Sequence, residues 1–151
     1  MKVYQKESQV LQKLEDHGWE AWFVGGCVRD ALRGEPCDDI DITTDALPQE
    51  VADVFGKDNI IETGLAHGTV TVKPQMAEVT TYRTEGTYSD RRHPDQVVFV
   101  RSLEEDLKRR DFTINAMALD LRGKLEDPFG GREDLKNGII RAVGEPSRRF
   151  D

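Results

Sequence analysis

The sequence predicts one α/β (α+β) domain in which a small mixed sheet is flanked by helices. Short apolar segments with a period of two residues alternate along the chain with segments whose apolar residues recur every three or four positions. At 151 residues the chain is long enough to bury a core of its own, and it shows no internal repeat or linker. Residues 1–151 are therefore interpreted as one domain.

The predicted elements follow one another closely along the chain. Helices are predicted at residues 4–16, 27–33, after Pro48, after Ser102 and at 132–136, and strands at 19–24, 38–43, 67–73, 76–83, 97–100 and 139–143. Residues 84–96 lack apolar periodicity and are predicted as a long loop, a length that is more often functional than idle.

The helix after Ser102 has a capping box with Glu105 and three acidic–basic pairs at a spacing of four residues. One of these pairs is Asp106 with Arg110, and another is Glu105 with Arg109. Pairs of this kind are typical of a solvated helix face, which would explain both arginines by a structural role on the surface. The DFTIN segment that follows favours a functional role for Arg110 instead.

The domain is organised around residues 23–44, FVGGCVRDALRGEPCDDIDITT. If residues 38–43 form a strand, Asp39 and Asp41 project from the same face while Ile40 points into the core. Two adjacent carboxylates repel each other unless a cation lies between them, and Mg²⁺ prefers such oxygen ligands. The glycine turn before the helix offers backbone N–H groups of the kind that bind phosphates. Together these features predict chemistry on a nucleoside triphosphate.

Composition limits the partners and the compartment. The net charge of −8 argues against a broad nucleic-acid surface on this chain, so either a small nucleotide is the ligand or the nucleic-acid surface lies elsewhere. No apolar run approaches the length of about 18 residues that a membrane-spanning helix needs, and we expect no membrane partner. The spacing of Cys27 and Cys37 fits no zinc motif and suggests no disulfide scaffold, which favours a reducing, cytoplasmic compartment.

Four motifs in order resemble one family. These are FVGGCVRD, the DIDITT strand after a Gly-x-Pro turn, EVTTYRTEGTYSD and EEDLKRRDFTINAMA. Together they resemble the head domain of the class II tRNA nucleotidyltransferases, which include CCA-adding enzymes and bacterial poly(A) polymerases of the DNA polymerase β superfamily. The match extends from about Trp19 to Asp151.

The resemblance implies a template-independent enzyme that adds CMP or AMP, from CTP or ATP, to the tRNA 3′ end by in-line attack with release of pyrophosphate. It implies that Asp39 and Asp41 are catalytic and hold two Mg²⁺ ions, with Glu78 as a candidate third carboxylate. It assigns nucleotide binding to residues from three of the motifs, namely Gly25, Gly26, Arg29, Asp30, Arg83, Arg110, Asp111 and Asn115.

The resemblance also carries expectations about substrate choice and about further domains. Residues 86–95 correspond to a mobile loop linked to addition of the terminal A, and their full length argues against addition of CC alone. The family continues past RRFD into a helical neck that selects the base and into body and tail domains that bind tRNA. The chain is therefore expected to be a head domain alone or half of a split enzyme that needs a second chain. An A-adding enzyme or a poly(A) polymerase remains the alternative within the family.

An alternative of a different class is a non-catalytic module that binds a nucleotide or a partner chain. Its interface would be the apolar edge near Ile139, Ile140 and Phe150. In that case the two aspartates would be a solvated strand face, and Asn115 a buried amide with its hydrogen bonds satisfied.

Overall fold

A computed structural model describes residues 5–37, 39–85 and 97–144 of the chain. The helices are α1 (Gln5–Asp16), α2 (Gly26–Leu32), α3 (Pro48–Phe55), α4 (Leu103–Lys108) and α5 (Gly131–Asn137), with 3₁₀ turns at Lys57–Asn59, Leu65–His67 and Thr113–Asn115. The strands are β1 (Ala21–Val24), β2 (Asp41–Thr44), β3 (Ile60–Gly64), β4 (Thr69–Val72), β5 (Ala77–Thr81), β6 (Arg83–Glu85), β7 (Val97–Phe99), β8 (Ala118–Leu119) and β9 (Leu125–Glu126).

Seven of these strands form one mixed sheet in the order β3-β4-β5-β2-β1-β8-β9, and β6 and β7 form a separate antiparallel ribbon. Strands β2 and β5 pair in parallel, while the other neighbouring strands of the large sheet pair antiparallel. The predicted α/β class with a mixed sheet is confirmed. The parallel pair lies at the centre of the sheet, which places the start of β2 beside the start of β5.

The sheet has an apolar core on each face. Along β1, Phe23 packs with the larger cluster under α1 and α3, and Val24 packs with the smaller cluster under α4. This alternation is the period of two that predicted the strand. The core packs against both faces of β1 and against β2 through Ile42, so the loops at the ends of these strands have a rigid support.

Local capping signals explain where two helices begin. The Ser102 hydroxyl accepts a hydrogen bond from the Glu105 N–H at 3.3 Å, as the capping box predicts. At α3, Pro48 occupies the first turn and the Glu50 carboxylate accepts the Leu47 N–H at 2.8 Å. No helix among the described residues is long and apolar enough to span a membrane.

Three predictions of secondary structure need correction. Strand β2 begins at Asp41 rather than at residue 38, so Asp39 lies in the exposed segment before the strand. Residues 139–143 form no strand, and only an isolated bridge joins Ala142 to Phe112. The predicted loop at 84–96 begins later, because β6 extends through Glu85, and residues 86–96 lie outside the described part of the chain.

Residues 139–143 form two backbone hydrogen bonds with residues 111–113, each 3.0 Å long, and an ion pair adds to them. The Arg141 guanidinium pairs with the buried Asp134, whose Oδ2 also accepts the Thr113 hydroxyl at 2.6 Å. The neighbouring Ile139 and Ile140 are 42% and 52% exposed. The apolar pair that the alternative interpretation uses is therefore at the surface.

Candidate functional site

The structure brings three carboxylates together at the edge where β2 and β5 begin. Asp41 and Glu78 are register partners in the parallel pair, and the Glu78 N–H donates to the Ile40 carbonyl at 3.3 Å. Asp39 precedes β2 and is exposed, as is Glu78, while Asp41 is half-buried. The sequence predicted the two aspartates as neighbours. The structure adds that Glu78, far away in sequence, lies next to Asp41.

The negative charges of this group make Asp41 harder to ionise, which raises its pKa. The pKa of Asp41 is raised to about 6, chiefly by burial and then by the charges of Glu78 and Asp39, while the charge of Arg110 lowers it. A carboxylate that is costly to ionise in the protein alone is stabilised when a cation binds beside it. The electrostatics of the group therefore favour a positively charged ligand.

The carboxylates fit a metal ion that takes its remaining ligands from water and from a bound phosphate. No group of three or more His, Cys, Asp or Glu side chains within residues 5–37, 39–85 and 97–144 is arranged to hold a metal ion by itself. Mg²⁺ is usually bound through one or two carboxylates, with water and substrate phosphates as the remaining ligands. Asp39 and Asp41 fit this mode.

A glycine turn lies next to the Asp41 carboxylate. Gly25 has φ +79° and ψ −148°, and a Cβ built on it would lie 3.8 Å from Asp41 Oδ2 and 3.8 Å from Arg110 Nη1. The Gly25 carbonyl accepts the first two amide bonds of α2, from Val28 at 3.0 Å and Arg29 at 3.3 Å. The conformation is open almost only to glycine, so the turn places a bare backbone between a carboxylate and a guanidinium.

Replacing Gly25 by alanine is expected to destabilise the chain by about 1–3 kcal/mol, because a side chain is strained at this φ and ψ. The neighbouring Gly26→Ala is the matched control. Its φ is not in the positive region, and its new Cβ would meet Arg29 Nη2 at 3.2 Å, a contact that a shift of a few tenths of an ångström relieves, so we expect a cost below about 1 kcal/mol. Urea unfolding of the two variants measures the difference, and equal costs would contradict the strained turn.

Arg110 is held against the site by a buried aspartate. Asp106 is fully buried, and its Oδ2 accepts Arg110 Nη2 at 3.2 Å and the Thr43 hydroxyl at 3.1 Å. Its Oδ1 accepts the Arg83 N–H at 3.0 Å and Arg109 Nε at 3.4 Å. The Asp106 carboxylate therefore joins α4 to β2 and β6 and holds Arg110 beside the Gly25 turn.

The two arginines are consequently not on a solvated face. Their side chains are only 13% exposed at Arg109 and 16% at Arg110, and Arg109 pairs with Asp106 instead of the predicted Glu105. Burial lowers the pKa of Arg110, which the Asp106 charge opposes. The surface interpretation of these arginines is wrong.

Asp106 is the residue that sequence reasoning missed. The signal was its position, since Leu103, Asp106 and Leu107 share one face of α4 and the two leucines form its apolar stripe. A charged residue within an apolar stripe predicts a buried carboxylate with bound partners. Thr43, one pleat along β2 from Asp41, is likewise a residue that the motifs did not single out.

The remaining predicted residues form a hydrogen-bonded line beside the glycine turn. Arg29 donates from Nε to Asp30 Oδ1 at 3.1 Å and from Nη1 to Asn115 Oδ1 at 3.0 Å. Asn115 Nδ2 in turn donates to Asp111 Oδ1 at 3.4 Å. Asn115 stands in the 3₁₀ turn Thr113–Asn115, so this line connects the turn to α2.

The structure thus places the predicted site residues other than the Arg83 side chain in two adjoining groups. The first contains the three carboxylates, Gly25 and Arg110, with the Arg83 backbone joined to it through Asp106. The second is the line from Asp30 to Asp111, beside Gly26. A negatively charged edge next to guanidinium groups matches a ligand that carries phosphates together with a divalent cation.

The poly A polymerase head domain family matches residues 21–141 of this chain. The chain is 58% identical over 150 residues to the CCA-adding enzyme of Lactobacillus helveticus, covering 98% of this chain and 37% of that protein. It is 55% identical over 149 residues to the CCA-adding enzyme of Ligilactobacillus salivarius, of which it covers 36%. The chain therefore spans little more than a third of the length of these relatives.

Solved structures agree with the sequence relatives. The crystal structure of Bacillus stearothermophilus CCA-adding enzyme in complex with CTP has a TM-score of 0.84 and 51% identity, and the match covers 96% of this chain and 35% of that one. A tRNA nucleotidyltransferase complexed with a primer tRNA and an incoming ATP analog has a TM-score of 0.69 and 36% identity, covering 89% of this chain and 38% of that one. The chain belongs to the poly A polymerase head domain family.

Proposed function

We propose that this chain is the catalytic head of a tRNA nucleotidyltransferase of the CCA-adding type. It would transfer CMP and AMP from CTP and ATP to the 3′ end of tRNA, with release of pyrophosphate. The observation that carries the proposal is the half-buried Asp41 carboxylate, with Glu78 and Asp39 on one side and the Gly25 turn and Arg110 on the other. The CTP and primer tRNA named for the structural relatives support the same substrates.

Asp39 and Asp41 would hold Mg²⁺ in this proposal, and Glu78 would be a third carboxylate beside them. When bound, two such ions would activate the attacking 3′ hydroxyl and stabilise the departing pyrophosphate. The raised pKa of Asp41 supports the assignment, because the carboxylate gains most from a neighbouring cation.

The chain's own residues would position the triphosphate. The Gly25 and Gly26 backbone lets phosphate oxygens approach without obstruction from a side chain, and Arg110 faces the same space across the turn. Arg29 offers a guanidinium whose plane is fixed by Asp30 and Asn115. A planar fork held in this way can donate two parallel hydrogen bonds to one phosphate. Asp111 and Asn115 would contact the ribose and adjoining phosphate, and Arg83 would add to the nucleotide-binding group.

Base selection and tRNA binding would involve further helical domains or a second chain. The net charge of −8 and the greater length of the relatives support this division. Within the family, an A-adding enzyme or a poly(A) polymerase head remains the alternative, and we propose the cytoplasm as the compartment. Ile139 and Ile140, both exposed, are where a partner-binding module would present an apolar surface, while Phe150 lies outside the described residues.

Calorimetric titration of ATP and CTP into the chain, with and without Mg²⁺, tests the proposal. We expect both nucleotides to bind only with the metal, at similar Kd values, and the Asp39→Ala/Asp41→Ala variant to show no metal-dependent binding. Asp53→Asn, an exposed aspartate on α3, is the control for a general loss of negative charge. Equal binding by the wild type and the double variant would overturn the catalytic assignment, and no binding by the folded wild type would favour the interaction module.

A further inference from the structure

The chain's only two cysteines meet at the backbone of a proposed metal ligand. Cys27 lies in the first turn of α2, Cys37 lies just before Asp39, and their Sγ atoms are 2.8 Å apart. Both thiols donate toward the carbonyl oxygen of Asp39, Cys37 from 3.4 Å and Cys27 from closer. Neither cysteine is in a disulfide.

The two sulfurs are close enough for a disulfide to form after a small movement. The bond between two sulfurs is about 2.05 Å long, so the Sγ atoms need to approach by less than about 1 Å. Cys27 is 1% exposed, whereas Cys37 is half-buried in the segment that leads to Asp39. A small oxidant therefore reaches Cys37 first, and Cys27 is already in contact to react with it.

We propose that Cys27 and Cys37 are a redox site: they form a reversible intramolecular disulfide that weakens the adjoining nucleotide site. The disulfide itself follows from the contact between the thiols, and its effect on binding rests on the proposed function. In a reducing compartment such a bond is transient, which suits regulation and not structural reinforcement.

A hydroperoxide supplies the oxidising equivalents. Hydrogen peroxide oxidises the Cys37 thiol to a sulfenic acid, and its O–O bond breaks with release of one water. The Cys27 sulfur then attacks the Cys37 sulfur, the S–S bond forms, and the hydroxyl leaves with the Cys27 proton as a second water. The two thiols lose two electrons and two hydrogens in total, and the peroxide gains them. A dithiol reductant reverses the step by thiol–disulfide exchange.

Oxidation changes the support of Asp39 directly. Both sulfhydryl hydrogens are consumed, so the Asp39 carbonyl loses its two thiol donors and a disulfide sulfur cannot replace them. The new bond also draws the segment before β2 toward α2. Loss of one such hydrogen bond corresponds to about a fivefold rise in the Kd for a ligand that Asp39 helps to bind.

The test oxidises the purified chain with hydrogen peroxide and follows it by thiol titration, intact mass and non-reducing electrophoresis. We expect both thiols to disappear together, the mass to fall by two hydrogens, the chain to remain monomeric, and dithiothreitol to restore the starting state. Thiols that persist, cysteines that go on to sulfinic acid, or cross-links between chains would overturn the disulfide.

Calorimetry with ATP and Mg²⁺ then compares the reduced and oxidised chains. We expect the oxidised chain to bind about fivefold more weakly. Cys37→Ser keeps a hydroxyl donor but cannot form the bond, so its affinity should not respond to peroxide. Unchanged affinity after complete disulfide formation would overturn the coupling. Failure of the reduced chain to bind any nucleotide would instead refute the proposed function, while the mass and thiol measurements would still decide the disulfide.

Discussion

Replacing Asp41 by asparagine is expected to stabilise the metal-free chain and, at the same time, to abolish Mg²⁺-dependent binding of ATP and CTP. The pKa of Asp41 is raised from 3.8 to about 6, chiefly by burial and then by the charge of Glu78. Ionised Asp41 therefore costs free energy of folding at pH 7. Discounted for partial exposure to solvent, that cost is about 1–2 kcal/mol, and the neutral amide removes it.

The sign of the pH dependence follows from the same pKa. Between about pH 4 and about pH 6 Asp41 is mostly protonated in the folded chain and mostly ionised in the unfolded chain. This contribution to stability is present at low pH and is lost as the pH rises through about 6. Binding of a cation has the opposite dependence, because a protonated Asp41 is a poor ligand. Nucleotide affinity in Mg²⁺ should therefore fall as the pH drops below about 6.

Urea unfolding in the presence of a chelator, at pH 5 and pH 7, measures the first effect, and calorimetry with Mg²⁺ measures the second. Asp53→Asn should change neither result, because Asp53 is exposed on α3. An Asp41→Asn variant that is less stable than the wild type at pH 7 would show that the carboxylate is needed for folding. One that still binds nucleotide with Mg²⁺ would remove Asp41 from the site.

The parts of the site that could be predicted from sequence are local. The glycine turn, the helix after it and the strand with Asp41 lie within 22 consecutive residues, 23–44, and each has its own periodic or turn signal. The structure brings these residues together in the predicted order. The contact of Arg29 with Asn115 spans 86 residues and was reachable only through the resemblance, which groups the two motifs without giving their distance.

The pairing of β2 with β5 and the residue at which β2 begins could not be predicted from local sequence patterns. Glu78 lies beside Asp41 because β2 and β5 pair in parallel, and nothing in either strand's own sequence specifies that partner. Strand β2 begins two residues after Asp39, where the Cys27 and Cys37 thiols occupy the Asp39 carbonyl that a strand partner would otherwise use. Tertiary contacts of this kind shorten the strand even though the polar and apolar residues from Asp39 onward alternate as a strand requires.

The role of α4 was misjudged for a related reason. Acidic–basic pairs at a spacing of four residues occur on solvated helices and at buried ion pairs alike, so the pairing alone does not give the orientation of the helix. What decides it is Thr43, whose hydroxyl on the face of β2 bonds the Asp106 carboxylate across the interface. Asp41 and Thr43 thus lie on the same face of β2, where Asp41 faces the site and Thr43 attaches α4 to the sheet.

Replacing Asp106 by alanine is expected to cost about 3–5 kcal/mol, the largest loss of stability that we predict for a single side chain. The change leaves the guanidinium of Arg110 buried without its partner, and it removes acceptors from the Thr43 hydroxyl and the Arg83 N–H. A loss of this size is a large share of the about 5–15 kcal/mol that stabilises a typical domain. Urea unfolding at pH 7 measures it.

Glu105→Ala is the matched control, because it removes an exposed carboxylate from the same turn of α4 and should alter stability by no more than about 0.5 kcal/mol. The double variant Asp106→Ala/Arg110→Met separates charge from packing. If the cost arises from an uncompensated buried charge, removing Arg110 as well should recover part of it, since an apolar pair avoids the desolvation penalty. Additive losses in the double variant would instead assign the cost to Thr43 and the Arg83 backbone. Asp106 would then join β2 to β6 through hydrogen bonds from neutral donors, and packing alone would have to maintain the position of Arg110 next to the Gly25 turn.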